Sequence, residues 1–236
     1  MDRILNKIKS LLLNLFFPKK CLGCGTADVY LCPKCFNRIE ITLNNTCFFC
    51  GKITWQGKIC IGCQKENYLD RVIVGAEYKV PLVRDLIKNF KYHYVRELAK
   101  PLSQLIIKSL ALCGTLDFPH NAVVVPIPLY GRRMRTRGFN QAELLAKEVA
   151  NYFNLPLETN LLKRTISTEP QANIKDDEKR KINIKGVFNL NSPAVQGKNI
   201  ILVDDVSTTG ATLTEAGKIL KNNGANEVWA LVVAKG

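Results

Sequence analysis

An apolar run that passes into two carboxylates and then a hydroxyl-rich turn can hold a phosphorylated sugar. Ile200-Ile201-Leu202-Val203, Asp204-Asp205 and Val206-Ser207-Thr208-Thr209-Gly210-Ala211-Thr212 follow one another in that order. Backbone N–H groups at a helix N-terminus, helped by the hydroxyls of Ser207, Thr208, Thr209 and Thr212, form a nest for a phosphate dianion, and Gly210 permits close backbone approach. Adjacent carboxylates at a strand end accept hydrogen bonds from vicinal sugar hydroxyls or hold a divalent ion. The same residue types also cap helices after buried strands, so the capping reading stands beside the binding one.

A second group lies upstream. Val125-Pro126-Ile127-Pro128-Leu129 is followed by Arg132, Arg133, Arg135 and Arg137, and then by Gly138-Phe139-Asn140-Gln141. Guanidinium forks pair with phosphate oxygens bidentately, so this basic loop can grip a pyrophosphate. Taken alone, it could equally be a solvated or nucleic-acid-facing loop.

Eight of the nine cysteines form four Cys-x-x-Cys knuckles: Cys21/Cys24, Cys32/Cys35, Cys47/Cys50 and Cys60/Cys63. Each knuckle offers two thiolates at one corner of a tetrahedron, and two knuckles close a four-cysteine zinc site with no open position for catalysis. The short spacers favour pairing of successive knuckles into two zinc ribbons over an interleaved cross-brace, with about two structural Zn2+ per chain. Disulfides or a redox relay are the competing uses. Cys113 reads as a buried thiol.

Several elements must position these groups. Residues 1–20 read as an amphipathic helix, from Ile4, Leu5, Ile8, Leu11, Leu12 and Leu15, stopped by Pro18. A docking helix is the leading use, with a membrane-surface helix and an export signal as the others. Residues 21–66 form a module too small to hold together by apolar burial, so metal must stabilise it. From Arg71 onward strands and helices alternate. Strands are expected at Val72–Tyr78, Ala122–Ile127, Asn199–Val203 and Glu227–Ala234, with helices at Pro81–Phe90, Arg96–Leu112, from Gln141, and Ala211–Asn222. Asn140 with Glu143 has the form of a capping box. The polar stretch Lys163–Asn183 reads as a mobile loop or lid. The fold class is α/β, a parallel sheet over residues 71–236 behind the zinc-ribbon module, with ligands at the carboxyl ends of the strands.

The segment Val203–Thr212 resembles the loop of type I phosphoribosyltransferases that binds 5-phosphoribosyl-1-pyrophosphate (PRPP). The resemblance implies that Asp204 and Asp205 act at the reacting sugar by holding its hydroxyls, and that Val206–Thr212 hold the 5′-phosphate. It implies Mg2+ on the pyrophosphate, with Arg132, Arg133, Arg135 and Arg137 as clamps. The knuckles, the Pro-x-Pro…Arg-Gly-Phe-Asn-Gln run and the Asp-Asp-Val-x-Thr-Thr-Gly-x-Thr run together resemble the ComF family, competence proteins linked to uptake of transforming DNA. Further pieces of the same resemblance are Phe90-Lys91-Tyr92, Arg164, Gln171, Arg180 and Asn183.

The chain has 236 residues, 34 Lys+Arg against 20 Asp+Glu, and a formal charge of +14, which favours polyanionic partners. Hydrophobic residues at 47% and charged residues at 23% exclude a disordered chain, no run is long enough for a membrane span, and the paired cysteines point to a cytoplasmic protein. Two functions remain. One is a phosphoribosyltransferase that binds PRPP, uses an acceptor no motif identifies, and takes part in DNA uptake. The other is a non-catalytic sensor of PRPP or phosphate that binds single-stranded DNA. The resemblance also implies contact with a competence helicase or other DNA-uptake proteins. Phe48, Phe49 and Trp55 beside lysines could stack bases, or simply fill a small core.

Overall fold

The computed structural model describes residues 19–166, 183–191 and 195–236, with the backbone alone for Arg132. The expected helix over 1–20, apart from Lys19 and Lys20, lies outside these residues, as do residues 167–182 of the expected loop or lid, Gln171 and Arg180 among them. The chain divides into two compact units, Met1–Glu40 and Ile41–Gly236. The division falls between the two pairs of knuckles.

The first unit holds the short helix α1 (Pro33–Phe36), capped by the Cys32 thiol, which accepts from the Cys35 backbone N–H. A single antiparallel bridge joins Lys20 to Ala27.

The second unit opens with the other two knuckles and helix α2 (Ile61–Asn67). Strand β1 (Arg71–Glu77), helix α3 (Pro81–Tyr92), a 3-10 turn at Arg96–Leu98 and helix α4 (Ala99–Leu112) follow. Next come β2 (Ala122–Pro126), α5 (Gly131–Arg137), α6 (Gln141–Phe153), β3 (Leu162–Arg164) and β4 (Phe188–Leu190), then β5 (Asn199–Ser207), α7 (Ala211–Asn222) and β6 (Val228–Lys235). The main sheet is parallel throughout, in the order β1-β6-β5-β2, while β3 and β4 pair antiparallel.

The strands are apolar because both faces of the sheet are covered, as parallel sheets require. Helices α4 and α6 pack on one face. On the other face Val72, Val74, Val123, Val125, Ile200, Leu202, Val228 and Ala230 pack with Leu213, Ala216 and Leu220 of α7. Cys47, Phe48 and Ile59 from the knuckle segment belong to that same layer. Each buried side chain of this size contributes about 1.5–3 kcal/mol, so the second knuckle pair is fixed by the core of the α/β unit as well as by its thiols. Asn44, also buried, reinforces the join, accepting from the Val74 N–H (2.8 Å) and donating to the Ser109 hydroxyl (2.7 Å).

Gly75 lets α4 approach β1, since a Cβ there would stand 2.8 Å from the Val233 carbonyl and 3.1 Å from the Ile106 nitrogen. Two sequence expectations change here. The basic loop is a helix, α5, and the start of the polar stretch, Lys163 and Arg164, is the end of a strand. Pairing with β4 overrides the polar composition, because β3 buries only Leu162 and leaves Lys163 exposed. No described helix is long and apolar enough to cross a membrane.

Candidate functional site

Asp204 and Asp205 stand near the carboxyl end of β5, beside the carboxyl end of β2, where an α/β sheet opens a crevice. Lys91, from the last turn of α3, places its Nζ 2.8 Å from Asp205 Oδ1. The Asp205 backbone N–H donates to Asp204 Oδ1 at 2.8 Å. Burial pushes the Asp204 carboxyl up to about 7, and the charge of Asp205 adds to this while Lys91 opposes it. Burial disfavours the Lys91 ammonium, yet Asp205, with Asp204 and Tyr92 adding to it, outweighs burial and holds its pKa above the ordinary value.

The arginines come from separate turns of chain around this pair. Helix α5 ends at Gly138 in the left-handed region, φ 69°. Arg133 and Arg137, four residues apart, share one face of the helix and both line the cleft with Asp204 and Asp205. Arg137 Nη1 donates to Gln141 Oε1 (3.1 Å), and its guanidinium lies 5.4 Å from the Tyr92 ring centre. Arg135 is exposed and lies beside Gly131 outside the cleft, because two residues along a helix turn the side chain about 200° from Arg133. Arg132 shares the α5 backbone.

Arg164 of β3 adds a third guanidinium to the cleft. Burial pushes it down to about 10, Arg133 pushes the same way, and Asp204 opposes both. Arg133 is likewise depressed by burial and by Arg137. These crowded, partly desolvated cations favour an anion between them.

Val206–Thr212 line the adjoining part of the crevice with Tyr78, Lys91, Tyr92 and Gly236. Thr209 Oγ1 accepts from the Ala211 N–H at 3.4 Å, opening α7. Gly210 is left-handed, φ 81°, which disfavours any side chain. A Cβ on Gly210 would also lie 2.6 Å from Phe49 Cε1. The close approach at this glycine is therefore made by an aromatic ring of the knuckle segment.

Asn140 caps α6, accepting from the Ala142 N–H (3.2 Å), and its Nδ2 donates to the Ile127 carbonyl (3.0 Å), which ties the helix to the end of β2. In the sequence, Lys91 and Arg164 are marked only by the family resemblance. Composition does not find them, because a single Lys or Arg at the end of an element is an ordinary surface feature.

The cysteines gather as successive pairs. The Sγ atoms of Cys21, Cys24, Cys32 and Cys35 lie within 4.8 Å of one another, as do those of Cys47, Cys50, Cys60 and Cys63. Sulfurs at the corners of a zinc tetrahedron sit about 3.8 Å apart, from a Zn–S bond of roughly 2.3 Å. Cys24–Cys32 at 3.6 Å and Cys50–Cys60 at 3.5 Å fit that spacing. The cross-brace is not formed.

Phe48 is buried in the core and Phe49 packs against it edge-on, with ring centres 5.2 Å apart. Trp55 alone of the three candidate stacking rings is strongly exposed, at 74%. Cys113 donates to the Ser109 carbonyl at 2.7 Å.

Residues 140–236 match the phosphoribosyl transferase domain and residues 12–66 the double zinc ribbon domain. Competence protein F of Haemophilus influenzae is 30% identical over 93% of this chain and 99% of its own length. DNA utilization protein YhgH of Escherichia coli K12 is 32% identical over 89% of this chain and 88% of its own. Competence protein ComFC of Bacillus subtilis is 27% identical over 84% and 80%. With a phosphoribosyltransferase-type sheet, two zinc-type groups of four cysteines and relatives matched almost end to end, this chain belongs to the ComF family.

Proposed function

We propose that the crevice binds PRPP and that the protein takes part in DNA uptake, acting as a phosphoribosyltransferase. One observation carries the ligand reading: three guanidiniums, Arg133, Arg137 and Arg164, converge with Asp204 and Asp205 in one cleft that adjoins the hydroxyl-rich loop. This is a charge pattern matched to a sugar with a phosphate at one end and a pyrophosphate at the other.

In this reading the Ser207–Thr212 amides and hydroxyls hold the 5′-phosphate, and Asp204 and Asp205 accept from the ribose hydroxyls. Arg133, Arg137 and Arg164 neutralise the pyrophosphate, while Lys91, which borders both parts of the crevice, exchanges Asp205 for ligand oxygens. Mg2+ would travel with the pyrophosphate, and the same carboxylates are the oxygen donors available to it. Arg135 has no part in the clamp.

The role in DNA uptake rests on the relatives named for competence and DNA utilization, and on the +14 charge. That charge also favours the second reading, a PRPP or phosphate sensor that holds single-stranded DNA. Calorimetric titration of PRPP with and without Mg2+ tests the ligand, and a pyrophosphate-release assay with nucleobases and with DNA separates the two readings. Release assigns an enzyme. Binding without release assigns the sensor.

A further inference from the structure

The phosphate loop is gripped from outside by the segment that carries the second group of four cysteines. Beyond the Phe49 contact at Gly210, Phe48 is held by Lys235, whose Nζ donates to the Phe48 carbonyl at 2.8 Å and lies 4.3 Å from the ring centre. Lys235 pairs in the sheet with Ser207, the first hydroxyl residue of the loop. The other knuckle reaches the same helix. Asn67 at the end of α2 accepts from the Thr214 hydroxyl at 3.1 Å, one turn into α7, and the Tyr68 carbonyl stands 2.8 Å from where a Cβ on Gly217 would be.

Thus Cys47/Cys50 seats on the turn of the loop, Cys60/Cys63 leads into the helix the loop begins, and one metal site joins the two knuckles. A rigid cross-link between two segments that flank a binding loop removes part of the ordering cost of that loop before ligand arrives.

We propose that the metal site at Cys47, Cys50, Cys60 and Cys63 is a clamp for the phosphate loop, with Phe49 as its positioning residue, so that metal occupancy and phosphoribosyl-ligand affinity are linked. The proposal rests on the loop being the ligand site. Linkage is reciprocal: whatever factor the metal adds to ligand affinity, ligand adds to metal retention. Loss of this metal, by chelation or by oxidation of its thiolates, lowers ligand binding while α4, α6 and the far face of the sheet stay folded.

Hydrogen exchange on the zinc-loaded full chain tests the clamp without ligand. Phe49→Ala speeds exchange of the 207–213 amides at least fivefold with zinc content unchanged, Phe49→Leu gives a smaller rise, and Trp55→Ala, which alters an exposed ring of the same segment, gives none. Zinc transfer to a chromophoric chelator then tests the linkage. PRPP with Mg2+ slows loss of one of the two zincs at least fivefold in the parent, the low end of common coupling factors of roughly 5–150, and fails to do so in Phe49→Ala. Unchanged loop exchange in both Phe49 variants overturns the clamp. So does a parent that binds PRPP by calorimetry yet loses both zincs at the same rates with and without it. A parent that binds no PRPP contradicts the functional reading instead, and the exchange comparison still decides the clamp.

Discussion

Lys91 Nζ sits 2.8 Å from Asp205 Oδ1, an ion pair between the last turn of a helix and the end of a strand 114 residues further along the chain. Both side chains are largely enclosed, at 19% and 9% exposure. Removing one partner of such a pair leaves an uncompensated charge, which costs about 3 kcal/mol or more. Lys91→Met is expected to lower the midpoint of thermal unfolding by roughly 6–12 °C for a chain of this size. The companion Lys91→Met, Asp205→Asn variant should recover most of the loss, as differential scanning calorimetry would register. A single variant as stable as the parent would show the pair to be solvated.

Asp204 gives stability a pH dependence of definite sign. Its carboxyl is raised from 3.8 to about 7, so the folded state holds a proton that the unfolded state releases above about 4. Folding is unaffected by this group below pH 4, loses stability as pH rises from 4 to 7, and carries the whole penalty above 7. Asp204→Asn should therefore stabilise the protein at pH 8, by on the order of 2–4 kcal/mol, and leave it unchanged at pH 4. Denaturant unfolding at the two pH values reads this. Equal effects at both would remove burial of the carboxyl as the cause.

Two zincs per chain are expected from elemental mass spectrometry. Cys24→Ser should leave about one, Cys60→Ser about one, and the double variant none, because each closed tetrahedron fails on losing a thiolate. A parent ratio near one would contradict the two-site account.

The strand and helix pattern was legible because Val72–Val74, Val123–Val125 and Ile200–Val203 are apolar on both faces, the mark of a covered parallel sheet. The loop was legible because its hydroxyls, carboxylates and glycine are local in sequence. What sequence concealed is long-range. Lys91 finds Asp205, Arg164 finds the cleft, and Phe49 finds Gly210 only once the sheet is assembled. The helical character of Gly131–Arg137 was hidden because its residues are basic all round and give no apolar stripe to read. That helix turns Arg135 about 200° away from Arg133, so it does not line the cleft that Arg133 and Arg137 share.

Single-stranded DNA should bind through charge, with fluorescence anisotropy showing a steep salt dependence. About four neutralised phosphates predict a fall of roughly 50-fold in affinity from 50 to 200 mM salt. Trp55→Ala should weaken binding by about 1–3 kcal/mol if the exposed ring stacks on a base. Affinity insensitive to salt would contradict the electrostatic account.

The most direct test of the central claim is calorimetric titration of PRPP, in the presence of Mg2+, into the parent and into the Asp204→Asn, Asp205→Asn double variant. At pH 8, above the Asp204 transition, each charged hydrogen bond to a sugar hydroxyl is worth about 1.5–3 kcal/mol, so each replacement should weaken binding by one to two orders of magnitude, and Thr209→Val should do less because backbone amides still hold the phosphate. The account predicts a folded, zinc-loaded double variant whose PRPP affinity has fallen at least a hundredfold. A double variant that folds, keeps its zinc and binds PRPP as the parent does would show that Asp204 and Asp205 do not hold the ribose.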